Sequence, residues 1–286
     1  MLSCHGDNSQ GFTIWGNWGP FAAANYNMGW HSKGGHDRTF GTNAKAWDWC
    51  SVNNAGFEYY QNAKKDGIGL PPHNPRIWVF RHQSNASCAP MLRRVWHPIG
   101  YSSNSGWSNF FINMTAGRLL TYTNTLLKFA LPDIVIGTGG GYNTYDIYES
   151  VNHELSHASH FNKVGSAFWA KYVNYIITYG KKYDHPYGDA SCNNSGFCGV
   201  GEMWGYAMGY IRTYEKYQQK PKNGQSKWFQ PNLLYDLMTE KILTKKQIFD
   251  CLSSDVTSHA LLKQKMISRY PSKKDSIIAK FSRYGF

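Results

Sequence analysis

Residues 153–157 read His-Glu-Leu-Ser-His, and this pentapeptide constrains the chain more than any other stretch. It lies in a run, 144–161, whose apolar residues recur with helical spacing. On an α-helix, residues four apart share a face, so the two imidazoles stand about 40° apart around the axis, with Glu154 about 100° from His153. Ile147, Val151, Leu155 and Ala158 fill the opposite face. The helix can therefore bury one side and present two imidazoles and a carboxylate on the other. With 11 His and 6 Glu in 286 residues, composition alone yields about 0.009 chance matches to this pattern. A run at 133–136, Asp-Ile-Val-Ile, reads as a strand leading into the helix.

Two imidazoles at this spacing can share one tetrahedral ion. The carboxylate one position after the first histidine reaches a water on that ion without being a ligand. Zinc lowers the pKa of such a water to about 7, and Glu154 is placed to take the proton. A catalytic zinc usually has three protein ligands and one open position. Glu202 is the preferred third ligand. It opens a segment, Gly201-Glu202-Met203-Trp204-Gly205-Tyr206-Ala207-Met208-Gly209-Tyr210, in which Gly201, Gly205 and Gly209 form a small-residue stripe beside it. A glutamate side chain is short, so its helix has to come close to the metal, and small residues allow that. The other reading of Glu202 is a charge at a helix N-terminus. His160 shares the face of His153 but rises too far along the axis for one straight helix to wrap the ion. Asp189 and His185, in the preceding loop, complete the candidates. Tyr206, one turn after Glu202, is expected to donate to the developing oxyanion, with Tyr210 and His185 as alternatives.

Composition narrows the class. Hydrophobic residues make up 42% and charged residues 17%, which suits a globular protein and excludes a disordered one. No apolar run reaches the roughly 18–20 residues of a membrane span, so no transmembrane segment is expected. The net charge is +12, and +9 of it falls in residues 216–286, with 14 Lys+Arg against 5 Asp+Glu. The lysines are scattered at helical spacing, without a basic run or a nucleic-acid motif. They read as a solvated face, and no nucleic-acid partner is expected. None of the six cysteines sits in a Cys-x-x-Cys pair, which argues against a cysteine zinc ribbon. Cys192 and Cys198 bracket a short loop and are expected to form a disulfide, or else to be buried thiols. Met1-Leu2-Ser3-Cys4 has the form of the end of a lipoprotein signal, although no basic start or apolar stretch precedes it. The expected location is outside the cytoplasm: secreted, periplasmic or on a lipoprotein anchor, the signal segment itself not being present.

Along the chain, residues 1–41 are rich in Gly, Asn and Trp and read as irregular. A helix is expected over 43–66, where Trp47, Ser51, Ala55, Tyr59 and Ala63 recur every fourth position until Gly67. Strands are expected at 76–82, 93–99, 109–114 and 133–136. Residues 137–141 form a glycine-rich turn without the pattern of a phosphate-binding loop. Helices are then expected at 144–161, 166–179, 202–217, 231–241, 245–252, 258–270 and 273–282. The fold class is α+β: a mixed α/β subdomain over 1–161, ending in the active-site helix, and a mostly helical subdomain over 162–286.

His153-Glu154-x-x-His157 on a helix, followed by a helix carrying Glu202, resembles the zincin metallopeptidases of the gluzincin type. The resemblance spans about residues 130–215. It implies an α/β upper subdomain, a helical lower subdomain and a cleft between them, with His153, His157 and Glu202 on zinc and Glu154 as general base. The overall look is similar to uncharacterised exported bacterial peptidases. Two departures stand out. No Gly-x-x-His follows His157, which excludes a metzincin, and the Asn-Glu-x-x-x-Asp form of thermolysin-like enzymes is replaced by Gly201-Glu202-Met203-Trp204-Gly205. The expected activity is zinc-dependent hydrolysis of a peptide or protein. The competing expectation is a carbohydrate- or glycoprotein-binding module with a structural or degenerate zinc site, since eleven tryptophans, many within 15–107, could form a stacking platform. Core packing is the other role for those rings. A glycosylated protein substrate would let both roles coexist.

Overall fold

The structure is a computed structural model describing residues 2–3, 11–16, 25–26, 39–81, 87–99, 132–139, 141–180, 187–221 and 227–286. Two short strands, β1 (Leu2–Ser3) and β3 (Asn25–Tyr26), pair antiparallel. Between them β2 (Thr13–Trp15) joins β4 (Arg76–Phe80) and β5 (Ile134–Gly137) in a parallel sheet of order β2-β4-β5. The register sets Ile14 against Ile77, and Ile77 against Ile134. All three side chains are fully buried, as expected of a parallel sheet covered by helices. Parallel neighbours need a crossover, and α1 (Lys45–Asp66) supplies it between β2 and β4. It ends where expected, at Gly67, whose φ of 68° is the left-handed cap that glycine takes without strain.

Helices dominate the rest: α2 (Leu92–Ile99), α3 (Thr144–Val164), α4 (Ser166–Gly180), α5 (Ser195–Tyr217), α6 (Asn232–Thr239), α7 (Lys245–Cys251), α8 (His259–Arg269) and α9 (Lys274–Arg283). The helix α3 begins with a reciprocal cap, Asn143 Oδ1 accepting from Asp146 N and Asp146 Oδ2 from Asn143 N, each at 3.1 Å. It packs on β5 and α1 and most extensively on α5. The Tyr59 and Ser159 hydroxyls, 2.7 Å apart, tie α1 to α3. No helix among the described residues is long and apolar enough to cross a membrane. Lys245, Lys246, Lys265 and Lys280 each lie within salt-bridge distance of a carboxylate, so part of the basic excess is used inside the helical half.

Four expectations are corrected. Residues 13–15 are a core strand rather than irregular chain, because Phe12 and Ile14 bury completely behind α1. Residues 93–99 belong to a helix rather than a strand. The place beside β5 is already taken by the segment before it: Cys88 and Val135 exchange backbone hydrogen bonds at 3.0 and 2.8 Å. The chain then turns at Met91, φ 52°, and the helix lets consecutive arginines reach one acid. Arg93 Nη2 donates to Asp133 Oδ2 at 2.8 Å and Arg94 Nε lies 3.3 Å from Oδ1. Cys192 and Cys198 are thiols and form no disulfide. Cys192 Sγ points at Asp189 Oδ1, 3.7 Å away, while Cys198 is fully buried on α5. Finally α5 starts at Ser195, seven residues before Glu202. Its early glycines lower helix propensity but are required by packing: a Cβ on Gly196 would lie 1.9 Å from Thr257 O. The run at 109–114 lies outside the described residues.

Asp133 is fully buried and also accepts from Arg76 N at 3.0 Å, so one carboxylate joins β4, α2 and the start of β5. Asp133→Ala leaves two arginines facing each other and one backbone donor unmet. We expect a loss of about 2–3 kcal/mol in a urea unfolding titration. A change near zero would mean that solvent already screens this junction.

Candidate metal centre

The centre is built where α3 crosses α5. The two Nε2 atoms of His153 and His157 face each other at 2.9 Å. Glu154 Oε1 lies 3.8 Å from His153 Nε2. From α5, Glu202 Oε2 lies 3.5 Å from His153 Nε2 and Oε1 lies 3.6 Å from His157 Nε2. All four side chains are buried: His153 is 9% exposed, Glu154 4%, His157 1% and Glu202 3%. His153, Glu154 and His157 form a group that could hold a metal ion, their ligand atoms all within 4.8 Å of one another.

Two glycines make the crossing possible. A Cβ on Gly205 would meet His157 Cε1 and Nε2 at 2.7 Å and His153 Nε2 at 3.1 Å. One on Gly209 would press on Glu149 O at 3.1 Å and His153 Cβ at 3.4 Å. The third glycine of the stripe, Gly201, faces the Tyr172 ring on α4 instead, at 3.2 Å. Because α5 begins at Ser195, Glu202 stands in the middle of a helix and is not an N-terminal helix charge. Trp204 Nε1 donates to Ser156 O at 3.2 Å, fixing the rotation of α5 about the crossing.

Electrostatics in this enclosed space separate the two carboxylates. Burial pushes Glu154 well above the ordinary carboxylate range, and the charge of Glu202 adds to the shift. Burial acts on Glu202 in the same sense but is outweighed by His157 and His153, which hold it below that range. Burial brings His153 down to about 4 against the pull of Glu202. A neutral imidazole and an ionised carboxylate are the forms in which these groups bind a metal.

The donor set can be tested against an ion. Atoms about 2.0–2.2 Å from a tetrahedral centre stand roughly 3.3–3.6 Å apart. Each imidazole has one Glu202 oxygen at such a separation, Oε2 for His153 and Oε1 for His157, and the imidazole pair has to open slightly. Glu154 Oε2 and Glu202 Oε2 are buried without a hydrogen-bond donor among the described residues, a cost that a bound cation would remove. The site could therefore hold a metal ion.

The remaining candidates are placed as follows. The His160 ring is fully buried against Phe168 and Trp169, at centroid distances of 5.3 and 5.7 Å, and burial brings it down to about 3. Asp189 accepts from Ser191 N at 2.7 Å in the loop before α5. His185 lies outside the described residues. The Tyr206 ring packs edge-on against the His153 ring, with centroids 4.3 Å apart, and its hydroxyl is 2.8 Å from that of Tyr187. Tyr210 packs beside Tyr206 at 5.8 Å.

Sequence reasoning missed two neighbours. Tyr172 on α4 donates a short hydrogen bond to Glu202 Oε1, and Cys88 on the edge segment lies within electrostatic reach of Glu154 and Glu202. Burial raises the Cys88 thiol, and the charges of Glu154 and Glu202 raise it further. Tyr172 stands three residues after Trp169 on an apolar helix, and only the glycine at 201 hinted that a ring had to fit there. Among the described tryptophans of residues 15–107, Trp49 and Trp78 are buried, Trp47 packs on the core, and Trp15 stacks under Arg76 at 4.4 Å. These rings are used in packing, and the side chain of Trp96, with Trp18, Trp30 and Trp107, lies outside the described residues. Comparison with protein-family models, curated proteins and solved structures finds no match to this chain.

Gly205→Ala tests the crossing. Alanine raises helix propensity by about 1 kcal/mol, but its methyl cannot share space with the imidazole at 2.7 Å, and overpacking costs about 1–3 kcal/mol. We expect a folded protein with a lower melting temperature and at least tenfold weaker zinc uptake in a chelator competition. Unchanged uptake would show that α5 does not need to approach this closely.

Proposed function

We propose that the chain is a zinc-dependent metallopeptidase. The observation that carries this reading is the meeting of His153 and His157 with Glu202 from a second helix, beside a further carboxylate, Glu154, that is not needed to complete the set. A purely structural site has no use for that fourth group. Two imidazoles and one carboxylate are a donor set suited to zinc, with a fourth coordination place left for chemistry. When bound, the ion would supply a water of lowered pKa and polarise a substrate carbonyl.

The chain's own residues then divide the work. His153, His157 and Glu202 are the ligands. Tyr172, by donating to Glu202 Oε1, holds that carboxylate in one rotamer. Glu154 is the general base: the charge of a bound cation would oppose the burial that raises it and favour its carboxylate, which would take a proton from the attacking water and return it to the leaving nitrogen. Tyr206 is the donor to the developing oxyanion. Burial, followed by the charge of Glu202, keeps its phenol protonated, and the Tyr187 hydroxyl at 2.8 Å orients it.

Metal analysis is the direct test. Purified without chelators, the protein should carry about one zinc per chain by mass spectrometry. His157→Ala should lose it and Glu202→Ala should lower its occupancy. A folded wild type that takes up no zinc would turn the motif into a coincidence. Full occupancy in Glu202→Ala would move the third ligand elsewhere.

Glu154→Gln separates binding from chemistry. It should keep wild-type metal content and lose hydrolysis of a quenched fluorescent peptide library by about 10²–10⁴-fold. Unchanged turnover would remove Glu154 from the mechanism.

A further inference from the structure

Beyond the four buried side chains, a cation, Lys227, stands next to the centre with no carboxylate in salt-bridge distance among the described residues. Lys227 Nζ lies 4.9 Å from the ring centroid of Tyr187 and 4.7 Å from that of Tyr206. Both separations are within cation–π range. The Tyr206 ring is in turn the one packed against His153, so Lys227 is one aromatic ring away from the metal-binding group. Among the described residues no carboxylate lies within 4.0 Å of Nζ, in contrast to Lys245, Lys246, Lys265 and Lys280 in the same third of the chain.

Its position is built, not incidental. Phe229, two residues on, is fully buried and stacks on Tyr206 at 5.8 Å, meeting Tyr187 edge-on at 5.3 Å. Trp228 Nε1 donates to Tyr187 O at 3.0 Å, and Gln230 N closes a turn on Lys227 O at 2.8 Å. Tyr175 also donates to Tyr187 O, at 2.9 Å. Both neighbours of the lysine's cradle are thus held by the core while the ammonium remains half-buried. Burial lowers its pKa and the Glu202 charge opposes that. An ammonium beside two phenols, whose hydroxyls can both donate and accept, forms a cluster that carries a positive charge. The ligand chemistry such a cluster recognises is an anion, and the anion a peptide brings is a carboxylate.

We propose that Lys227, held over the Tyr187–Tyr206 pair, is an anchor for a substrate carboxylate beside the metal centre. The inference rests on the peptidase reading for its choice of ligand, but its binding test does not depend on turnover. Two sources supply the same group: the α-carboxylate of a peptide C-terminus, which makes the enzyme a carboxypeptidase-type exopeptidase, or an Asp or Glu side chain near the scissile bond of a longer peptide.

The test uses the zinc-loaded full chain in the Glu154→Gln background and three acetylated alanine pentapeptides, measured by calorimetry. One ends in a free carboxylate, one in an amide, and one in an amide with a single internal Glu. Removing a charge-assisted contact costs a factor of about ten or more. Lys227→Met should therefore weaken binding of a carboxylate-bearing peptide at least tenfold and leave the neutral amide unaffected, while Lys227→Arg should keep most of the affinity. Lys227-dependent preference for the free terminus supports the anchor and assigns it to the C-terminus. The same dependence confined to the internal Glu supports it and assigns it to an acidic side chain. Equal binding by the parent and Lys227→Met for both carboxylate peptides, absence of binding included, overturns it. Hydrolysis is scored separately in the Glu154 protein. Lys227-dependent affinity without any turnover would keep the anchor and remove the peptidase, whereas turnover without Lys227 dependence would do the reverse.

Discussion

The close crossing of α3 and α5 is the constraint on which the rest depends. A glutamate reaches only a few ångströms beyond its backbone, so a carboxylate on α5 can meet two imidazoles on α3 only if the helices nearly touch. Gly205 and Gly209 remove the side chains that would hold them apart, and the space left at Gly205 is smaller than one methyl. Small-residue stripes are common packing devices and say nothing of function by themselves. Here the stripe is aligned with His153 and His157, so the same absence of side chains that packs the helices also defines the volume between them.

Burial then determines the chemistry of that volume. Two carboxylates and two imidazoles removed from water cannot all carry charge. The groups divide: Glu202, flanked by both imidazoles and receiving Tyr172, stays ionised, while Glu154 is driven toward the protonated form. A pair of acids whose surroundings push them apart is the arrangement expected where one binds and the other moves protons. The aromatic wall of Tyr172, Tyr187 and Tyr206 keeps the donors in place without adding charge. Lys227 beyond it brings in one positive charge at the rim.

The parts of the fold legible in the sequence were those where local signal and tertiary demand agree. The helix α1 sets Ala55, Tyr59 and Ala63 in one buried row at every fourth position and stops at a left-handed glycine. The helix α3 carries apolar residues along one face, Ile147, Val151, Leu155 and Ala158, and all four are buried. Where the two diverged, tertiary contacts won. Val95 and its neighbours carry β-branched and aromatic side chains that favour a strand, yet α2 forms because the edge of β5 is taken and Asp133 draws in two consecutive arginines. Thr13–Trp15 is too short to announce a strand and is recruited by β4. The beginning of α5 was hidden by glycines that lower local helix propensity and are present because other chain segments leave no room for a Cβ.

From the amino-acid order alone came the spacing of His153 and His157, the carboxylate between them, the glycine stripe near Glu202 and the burial of the opposite helix face. These follow from the 3.6-residue repeat, which any helix obeys regardless of its surroundings. The distance of Glu202 from the imidazoles, the service of Tyr172 to its carboxylate, the isolation of His160 among aromatic rings and the position of Lys227 over two phenols came only from the tertiary structure. Each joins residues far apart in sequence through the packing of whole helices. Such contacts depend on the orientation of neighbouring elements, and local periodicity carries no record of it.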